Sequence, residues 1–218
     1  MKPFKFLKSI FGNTILLVSV YLMSPGLSYA QTYHPIIDTN KYWMVKITGS
    51  NYPCCPYSIL ETFYFSGDTL INNLTYKKLM QNNIKLSDTT LKKTTIYAGS
   101  LREDTAIRKI YFIYPNNVNT LEKIIYDFSL NIGDSVTFFY TGRGVQKGII
   151  DSIDFVKINN VCTKRYFIKE GINSEGWMDI WIEGIGSLFG LVYPGMSGID
   201  FGPYFGLSLA KQNQDTKY

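Results

Sequence analysis

Short runs of β-branched and aromatic residues alternate with polar turn signals along most of this chain. The run Ile59–Phe65, for example, is followed by the turn signal Ser66-Gly-Asp68. Farther along, Ile149 and Phe155 fall on one side of a period-two pattern and Asp154 falls on the other. A period of two residues is typical of a half-buried β-strand, so the pattern predicts strands joined by tight turns.

About ten such runs follow one another, which predicts an all-β antiparallel meander. A sheet with that many strands must curl, close or split into two layers, and closure removes exposed edges. We therefore expect residues 31–218 to form a single β-rich domain with a barrel-like or strongly curved sheet. A two-layer β-sandwich is the alternative.

Composition agrees with this fold and removes one class of partner. The chain has 17 Tyr, 14 Phe and 3 Trp, and aromatic residues favour strands. Its formal net charge of +5 includes Lys2, Lys5 and Lys8 at the extreme N-terminus. Without those three lysines the charge is close to balanced, so nucleic acid is not an expected partner.

The first thirty residues have the order of a secretory signal peptide. Lys2, Lys5 and Lys8 precede the apolar run Ile15–Met23, and Ser28-Tyr-Ala30 fits a signal peptidase site. We expect residues 1–30 to be removed before Gln31; a retained membrane anchor is the alternative, but the run is shorter than a bilayer span. The mature chain is then exported, to the periplasm, cell surface or medium, with no transmembrane segment.

The three cysteines could form a disulfide or remain reduced. Cys54, Cys55 and Cys162 all belong to the predicted mature chain, and an exported protein can form disulfides. Cys162 could pair with Cys55 or with Cys54, or the thiols could stay reduced and buried. A metal or redox site is less favoured, because Cys-x-x-Cys is absent and His34 is the one histidine.

Four strings in the chain resemble a known group of proteins. They stand in the order Phe65–Leu79 (FSGDTLINNLTYKKL), Tyr97–Asp104 (YAGSLRED), Ile125–Ser135 (IYDFSLNIGDS) and Trp181–Ser187 (WIEGIGS). These strings look like those of uncharacterised exported β-rich proteins of Bacteroidetes, whose members often carry a C-terminal sorting domain for type IX secretion. The resemblance implies an exported β-rich domain and implies no activity. This chain ends at Tyr218 without such a sorting domain.

No familiar catalytic constellation is present in the sequence. His34, just after the predicted cleavage site, is the one imidazole that a Ser-His-Asp arrangement could use. Gly-x-Ser-x-Gly, Walker, dinucleotide-binding and His-Glu-x-x-His motifs are missing. We therefore expect no catalytic, cofactor-binding or metal-binding residues, and favour a protein that is not an enzyme.

The strongest candidate for a binding surface is the segment Trp177–Glu183. On a strand, Trp177, Asp179, Trp181 and Glu183 would project to one face. Indoles beside carboxylates suit the stacking and hydrogen bonding of sugars. The competing interpretation is that Trp181 packs in the core and Glu183 satisfies backbone donors.

Three functions follow in order of preference. We expect a non-catalytic module of the envelope or cell surface that binds an extracellular or envelope ligand or has a structural role. A barrel-type carrier of a small apolar ligand is the first alternative. A carbohydrate-binding or glycan-acting protein that uses the Trp177–Glu183 strand is the second.

Overall fold

The computed structural model describes residues 32–38, 40–51, 55–86, 93–115, 121–140, 144–158, 160–170, 178–195 and 204–212. The chain divides into two compact units, Met1–Thr32 and Tyr33–Tyr218, and the fold below is that of the second. The predicted signal segment 1–30 lies outside the described residues. Across the described residues, no helix is long and apolar enough to cross a membrane.

Twelve strands make up the described part of the second unit. They are β1 (Lys41–Asn51), β2 (Cys55–Ile71), β3 (Leu74–Lys85), β4 (Lys93–Asp104), β5 (Lys109–Ile113), β6 (Lys123–Asp127), β7 (Ser135–Tyr140), β8 (Gly144–Ile158), β9 (Val161–Lys169), β10 (Asp179–Ile182), β11 (Gly186–Ser187) and β12 (Tyr204–Gln212).

The strands form two antiparallel sheets that follow chain order almost throughout. The first has seven strands in the order β12-β1-β2-β3-β4-β5-β6, and the second has five in the order β11-β10-β9-β8-β7. Both sheets are strongly curved. The prediction of an all-β antiparallel meander with a strongly curved sheet is confirmed. Two features depart from a simple meander: β12 returns to pair with β1, and the consecutive strands β6 and β7 belong to different sheets.

Turn residues explain where the chain reverses and where it does not. Asn72 and Asn73 have φ values of 49° and 61° and form the β2–β3 hairpin turn, as their tolerance of positive φ predicts. The expected stop at Ser66-Gly67 is instead a bulge inside β2, since the register shifts between Phe65 and Asp68. Gly67 has φ 72°, a conformation that glycine adopts without strain, so the strand continues through it.

The two sheets share one hydrophobic core. Trp43 and Phe63 come from the seven-stranded sheet, and Phe138, Tyr166 and Trp181 come from the five-stranded sheet. All five are at most 2% exposed. Burial of large aromatic side chains from both sheets is the main force that holds the layers together.

The chain passes from one sheet to the other between β6 and β7. These two strands are consecutive, yet β6 is the last strand of the first sheet and β7 is the last strand of the second. We call the gap between these two edge strands the seam; no strand ladder joins β6 to β7 within the described residues.

Candidate functional site

The described part of the predicted Trp177–Glu183 face is buried inside the protein. Trp177 lies outside the described residues. Asp179 and Trp181 belong to β10 and Glu183 follows it, and the three residues are 1%, 2% and 2% exposed. A sugar ring in solvent cannot stack on these side chains, and the small accessible part of Trp181 lies in the cleft described below. The burial matches the competing interpretation, in which Trp181 is a core residue.

Trp181 is the centre of an aromatic cluster. Its ring meets those of Tyr126, Phe138 and Phe128 edge to face, with centroids 5.0, 5.7 and 6.3 Å away. These partners come from β6, from β7 and from the residue that follows β6. The indole therefore connects the two strands on either side of the seam, and edge-to-face pairs of this kind add stability beyond area burial.

Asp179 is a buried carboxylate that is fully hydrogen-bonded. Its Oδ1 accepts from the Ile180 backbone N–H at 2.7 Å and from Ser187 Oγ at 2.7 Å. Its Oδ2 accepts from Trp181 Nε1 at 2.8 Å and from the Gly195 backbone N–H at 2.5 Å. Burial raises the pKa of Asp179 to about 7. The residue thus fixes the indole and ties the glycine-rich segment after β10 to the core.

Glu183 is buried with only one oxygen near a partner. Tyr166 Oη lies 3.4 Å from Oε1, and Oε2 has no hydrogen-bond partner among the described residues. Its own backbone N–H donates to the Lys164 carbonyl. Burial raises the pKa of the Glu183 carboxyl, and the cations of Lys164 and Arg108 oppose that effect. The expectation that Glu183 satisfies backbone donors is not supported by any described contact.

A cleft opens at the seam between β6 and β7. We call it the seam cleft; it has a volume of about 460 Å³ and is lined by Glu122, Lys123, Ile124, Ile125, Tyr126, Asp127, Leu130, Ser135, Val136, Thr137 and Trp181. The run of consecutive residues from β6 and the start of β7 shows that the edges of both sheets form its walls. A volume between 300 and 1,000 Å³ is usual for a site that holds a small molecule.

The inner part of the seam cleft is apolar. Ile125 and Val136 are 5% and 4% exposed and line it together with Trp181. Because Asp179 already accepts the indole N–H, Trp181 offers the cleft only its carbon surface. A ligand that reaches this floor would be held there mainly by removal of apolar area from water.

The outer part of the cleft carries charge that is already paired. Glu122 accepts two bonds from Arg102, of which the one from Nη2 is 2.8 Å long, and one from Tyr76 Oη at 2.5 Å. Asp127 Oδ2 lies 3.1 Å from Lys109 Nζ. Both carboxylates are therefore already bonded to structural partners. Groups bonded in this way can position a ligand, but they are poorly placed to transfer protons.

The charged segment Arg102-Glu-Asp104 ends β4 just before the hairpin tip, and its Glu103 fastens the chain that precedes β1. The tip is formed by residues 105–108, one step farther along the chain. The Glu103 carboxylate accepts from Tyr33 Oη at 2.6 Å and from the backbone N–H groups of Ile36 and Ile37 at 3.0 and 2.8 Å. It holds the segment that precedes β1 against β4. The sequence gives no signal for this pairing, because its members are far apart in the chain.

Cys162 does not line the seam cleft. Cys162 is exposed on β9, opposite Lys157 of β8. Cys54 lies outside the described residues, and Cys55 begins β2 in the other sheet. Pairing of Cys162 with Cys54 or Cys55 stays a prediction.

The described residues contain no cluster of potential metal ligands. No group of three or more His, Cys, Asp or Glu side chains there is placed to hold a metal ion. His34, the sole histidine, lies beside Gly184 near the start of the described chain.

No known protein resembles this chain closely enough to indicate a function. Comparisons with models of protein families, with curated proteins and with solved structures found no match.

Proposed function

We propose that this protein is an exported, non-catalytic module of the cell envelope or surface that binds a ligand in the seam cleft. The observation that carries the proposal is the cleft itself, about 460 Å³ in volume, with the carbon surface of Trp181 at its floor. A concave apolar site with a few polar groups at its rim is the usual form of a small-molecule site.

Export is supported by the first thirty residues. The lysines at positions 2, 5 and 8, the apolar run Ile15–Met23 and the small residues around Ala30 have the order of a cleaved signal. The proposal places the binding step outside the cytoplasm, where the mature chain begins at Gln31.

A small ligand with an apolar part and a polar end is the class that the cleft fits best. Ile125, Val136 and Trp181 offer no hydrogen bonds to the cleft, so they select for hydrocarbon or aromatic surface. Hydroxyl groups of Ser135 and Thr137 at the entrance can orient a polar end of the ligand. The carbohydrate-binding alternative is not proposed, since Asp179, Trp181 and Glu183 are buried.

The test uses a dye that becomes fluorescent in apolar sites, 1-anilinonaphthalene-8-sulfonate. Thr137 is an exposed residue of β7 that lines the cleft, so Thr137→Trp should fill the cleft from its rim without crowding the core. Dye binding should fall at least tenfold in this variant. Thr75→Trp, on an exposed position of β3 that does not line the cleft, is the matched control and should bind the dye as the parent does.

Circular dichroism on all three proteins verifies that they are folded, because partly unfolded chains also bind this dye. Absence of binding to the folded parent, or equal binding by the parent and Thr137→Trp, would exclude the seam cleft as the ligand site.

A further inference from the structure

β7 is the last strand of its sheet, and the space beside its outer edge is open. Its one strand neighbour within the described residues is β8. Ser135 and Thr137 are exposed and line the seam cleft, so the volume of about 460 Å³ lies directly against this edge. The cleft, and not another strand of the described chain, therefore occupies the position beside β7 at these residues.

The backbone of β7 directs hydrogen-bonding groups into the cleft. Just before the strand, the Ile150 backbone N–H donates to the Asp134 carbonyl at 2.9 Å. Hydrogen-bonded and non-hydrogen-bonded positions alternate along an antiparallel pair, so Val136 bonds to β8 and its two neighbours do not. The N–H and C=O groups of Ser135 and Thr137 therefore point away from β8, toward the side where the cleft lies.

The opposite wall carries groups of the same kind on a less regular edge. The Phe128 backbone N–H donates to the Arg108 carbonyl at 2.9 Å, so the backbone groups of Asp127 point away from β5. Nearby, the register of β6 with β5 shifts and leaves Ile125 as an extra residue. Such a bulge interrupts the even row of backbone groups along β6. β7 is therefore the wall on which a further strand can pair in register.

The direction of the side chains adds a second requirement. Val136 is buried and faces inward, whereas Ser135 and Thr137 are exposed. Residues that lie directly opposite each other in a sheet project to the same face. A ligand residue opposite Val136 would thus face the floor formed by Ile125 and Trp181. Because this floor is apolar, it favours an apolar side chain at that position.

We propose that the ligand of the seam cleft is a short extended peptide segment, which adds an antiparallel strand to β7 and places an apolar side chain opposite Val136. This inference rests on the proposed function and names the class of ligand for the same site. The two ligand residues opposite Ser135 and Thr137 exchange N–H···O=C bonds with β7, and their side chains stay in solvent. In this mode the main-chain bonds provide affinity, and the pocket for the alternate side chain provides specificity.

The spacing of the backbone groups favours a peptide over a lipid. Ser135 and Thr137 are two residues apart on a strand, which corresponds to a repeat of about 6.8 Å. An extended peptide has the same repeat, so its amides can bond to both residues at once. A hydrocarbon chain would fill the apolar floor but would displace water from these groups without replacing its hydrogen bonds.

The first experiment uses the purified chain and the capped tripeptide acetyl-Thr-Leu-Thr-amide. The comparison is the same peptide N-methylated at both threonines, which lacks the two N–H donors that face β7 and keeps every side chain. The unmethylated peptide should displace 1-anilinonaphthalene-8-sulfonate from the seam cleft. The methylated peptide should bind roughly tenfold more weakly or worse, because carbonyls of β7 lose their donors.

A proline variant tests the same bonds from the side of the protein. Thr137→Pro removes an N–H that points into the cleft but no bond of the β7–β8 ladder, as proline on an edge strand permits. It should weaken binding of the unmethylated peptide roughly tenfold or more. Thr105→Pro places a proline at an exposed turn residue outside the cleft and should bind the peptide as the parent does.

Hydrogen exchange in the parent needs no substitution and so remains valid if a variant fails to fold. With the unmethylated peptide bound, exchange at the backbone amides of Ser135 and Thr137 should slow. Exchange at Val136, whose amide already bonds to β8, should not change. Equal binding of the two peptides, or no slowing at Ser135 and Thr137, would overturn the inference.

Failure of this inference can be told apart from failure of the proposed function. If the dye binds in the seam cleft and the peptide does not displace it, the ligand belongs to another class and the proposed function stands. If the folded parent does not bind the dye, the proposed function fails and the peptide inference fails with it.

Discussion

The buried carboxylate of Asp179 should make the stability of the protein depend on pH. Its pKa is raised from an ordinary value of 3.8 to about 7, because burial disfavours the charged form. The folded state therefore binds the proton more tightly than the unfolded chain does. The resulting stabilisation is complete below about pH 4 and is lost as the pH rises through about 7.

The size of the effect follows from the two pKa values. A difference of about three pH units, at about 1.4 kcal/mol for each, corresponds to about 4 kcal/mol. That is a large fraction of the 5–15 kcal/mol that is typical of a whole domain. Because Asp179 is fully buried, solvent screening does not reduce this value appreciably.

The assay compares the parent with Asp179→Asn, whose amide does not titrate in this range. Urea unfolding of both proteins at pH 4, 5, 6 and 7 gives the difference in their unfolding free energies at each pH. The advantage of the parent over the variant should shrink by about 3 kcal/mol from pH 4 to pH 7, and the rest of the change falls above pH 7. Thr105→Asn, at an exposed turn residue that carries no titrating group, is the control and should show no such trend.

Taking the difference between the two proteins removes the contributions of other buried acids. Glu61 and Glu183, for example, have pKa values raised by burial and affect both proteins alike. A difference that stays constant with pH would refute the reasoning. An advantage of the parent that grows with pH would refute it as well, because it would mean that the folded state prefers the charged carboxylate.

Two further predictions concern the chain before β1. Glu103→Gln removes one of the two carboxylate oxygens that hold Tyr33, Ile36 and Ile37, so the variant should lose about 1–3 kcal/mol of stability. Limited proteolysis should then cut residues 32–38 faster in the variant than in the parent. Equal cleavage rates would contradict the role of Glu103 in holding this segment. Intact-mass measurement of the exported protein should show a chain that begins at Gln31, and retention of Met1 would contradict the signal peptide.

The sequence pattern predicted the strands well where a local signal decides the structure. Asn72-Asn73 marks a hairpin because asparagine tolerates positive φ, and the turn lies there. Ser66-Gly67 carries a similar signal but forms a bulge, since pairing with β3 continues on both sides of it. Tertiary pairing, which a local motif does not record, decides between a turn and a bulge.

The candidate site could be predicted only in part, for a related reason. Period-two alternation predicts that Asp179, Trp181 and Glu183 share a face, but it does not reveal that all three are buried. The seam cleft exists because β6 and β7 enter different sheets, although they are neighbours in the chain. No single residue specifies that separation, so the lining of the cleft could not be read from a motif.

The return of β12 to β1 ties folding to the completion of the chain. Lys41 of β1 pairs with Gln212 of β12, so the seven-stranded sheet cannot be completed until the last strand is present. Contacts between residues so distant in sequence make folding slow, because the loop between them must be closed first. Until then β1 exposes a bare edge on the side that β12 will occupy. A chain that crosses a membrane from its N-terminus would consequently remain open and vulnerable to proteases and aggregation until its final strand emerges.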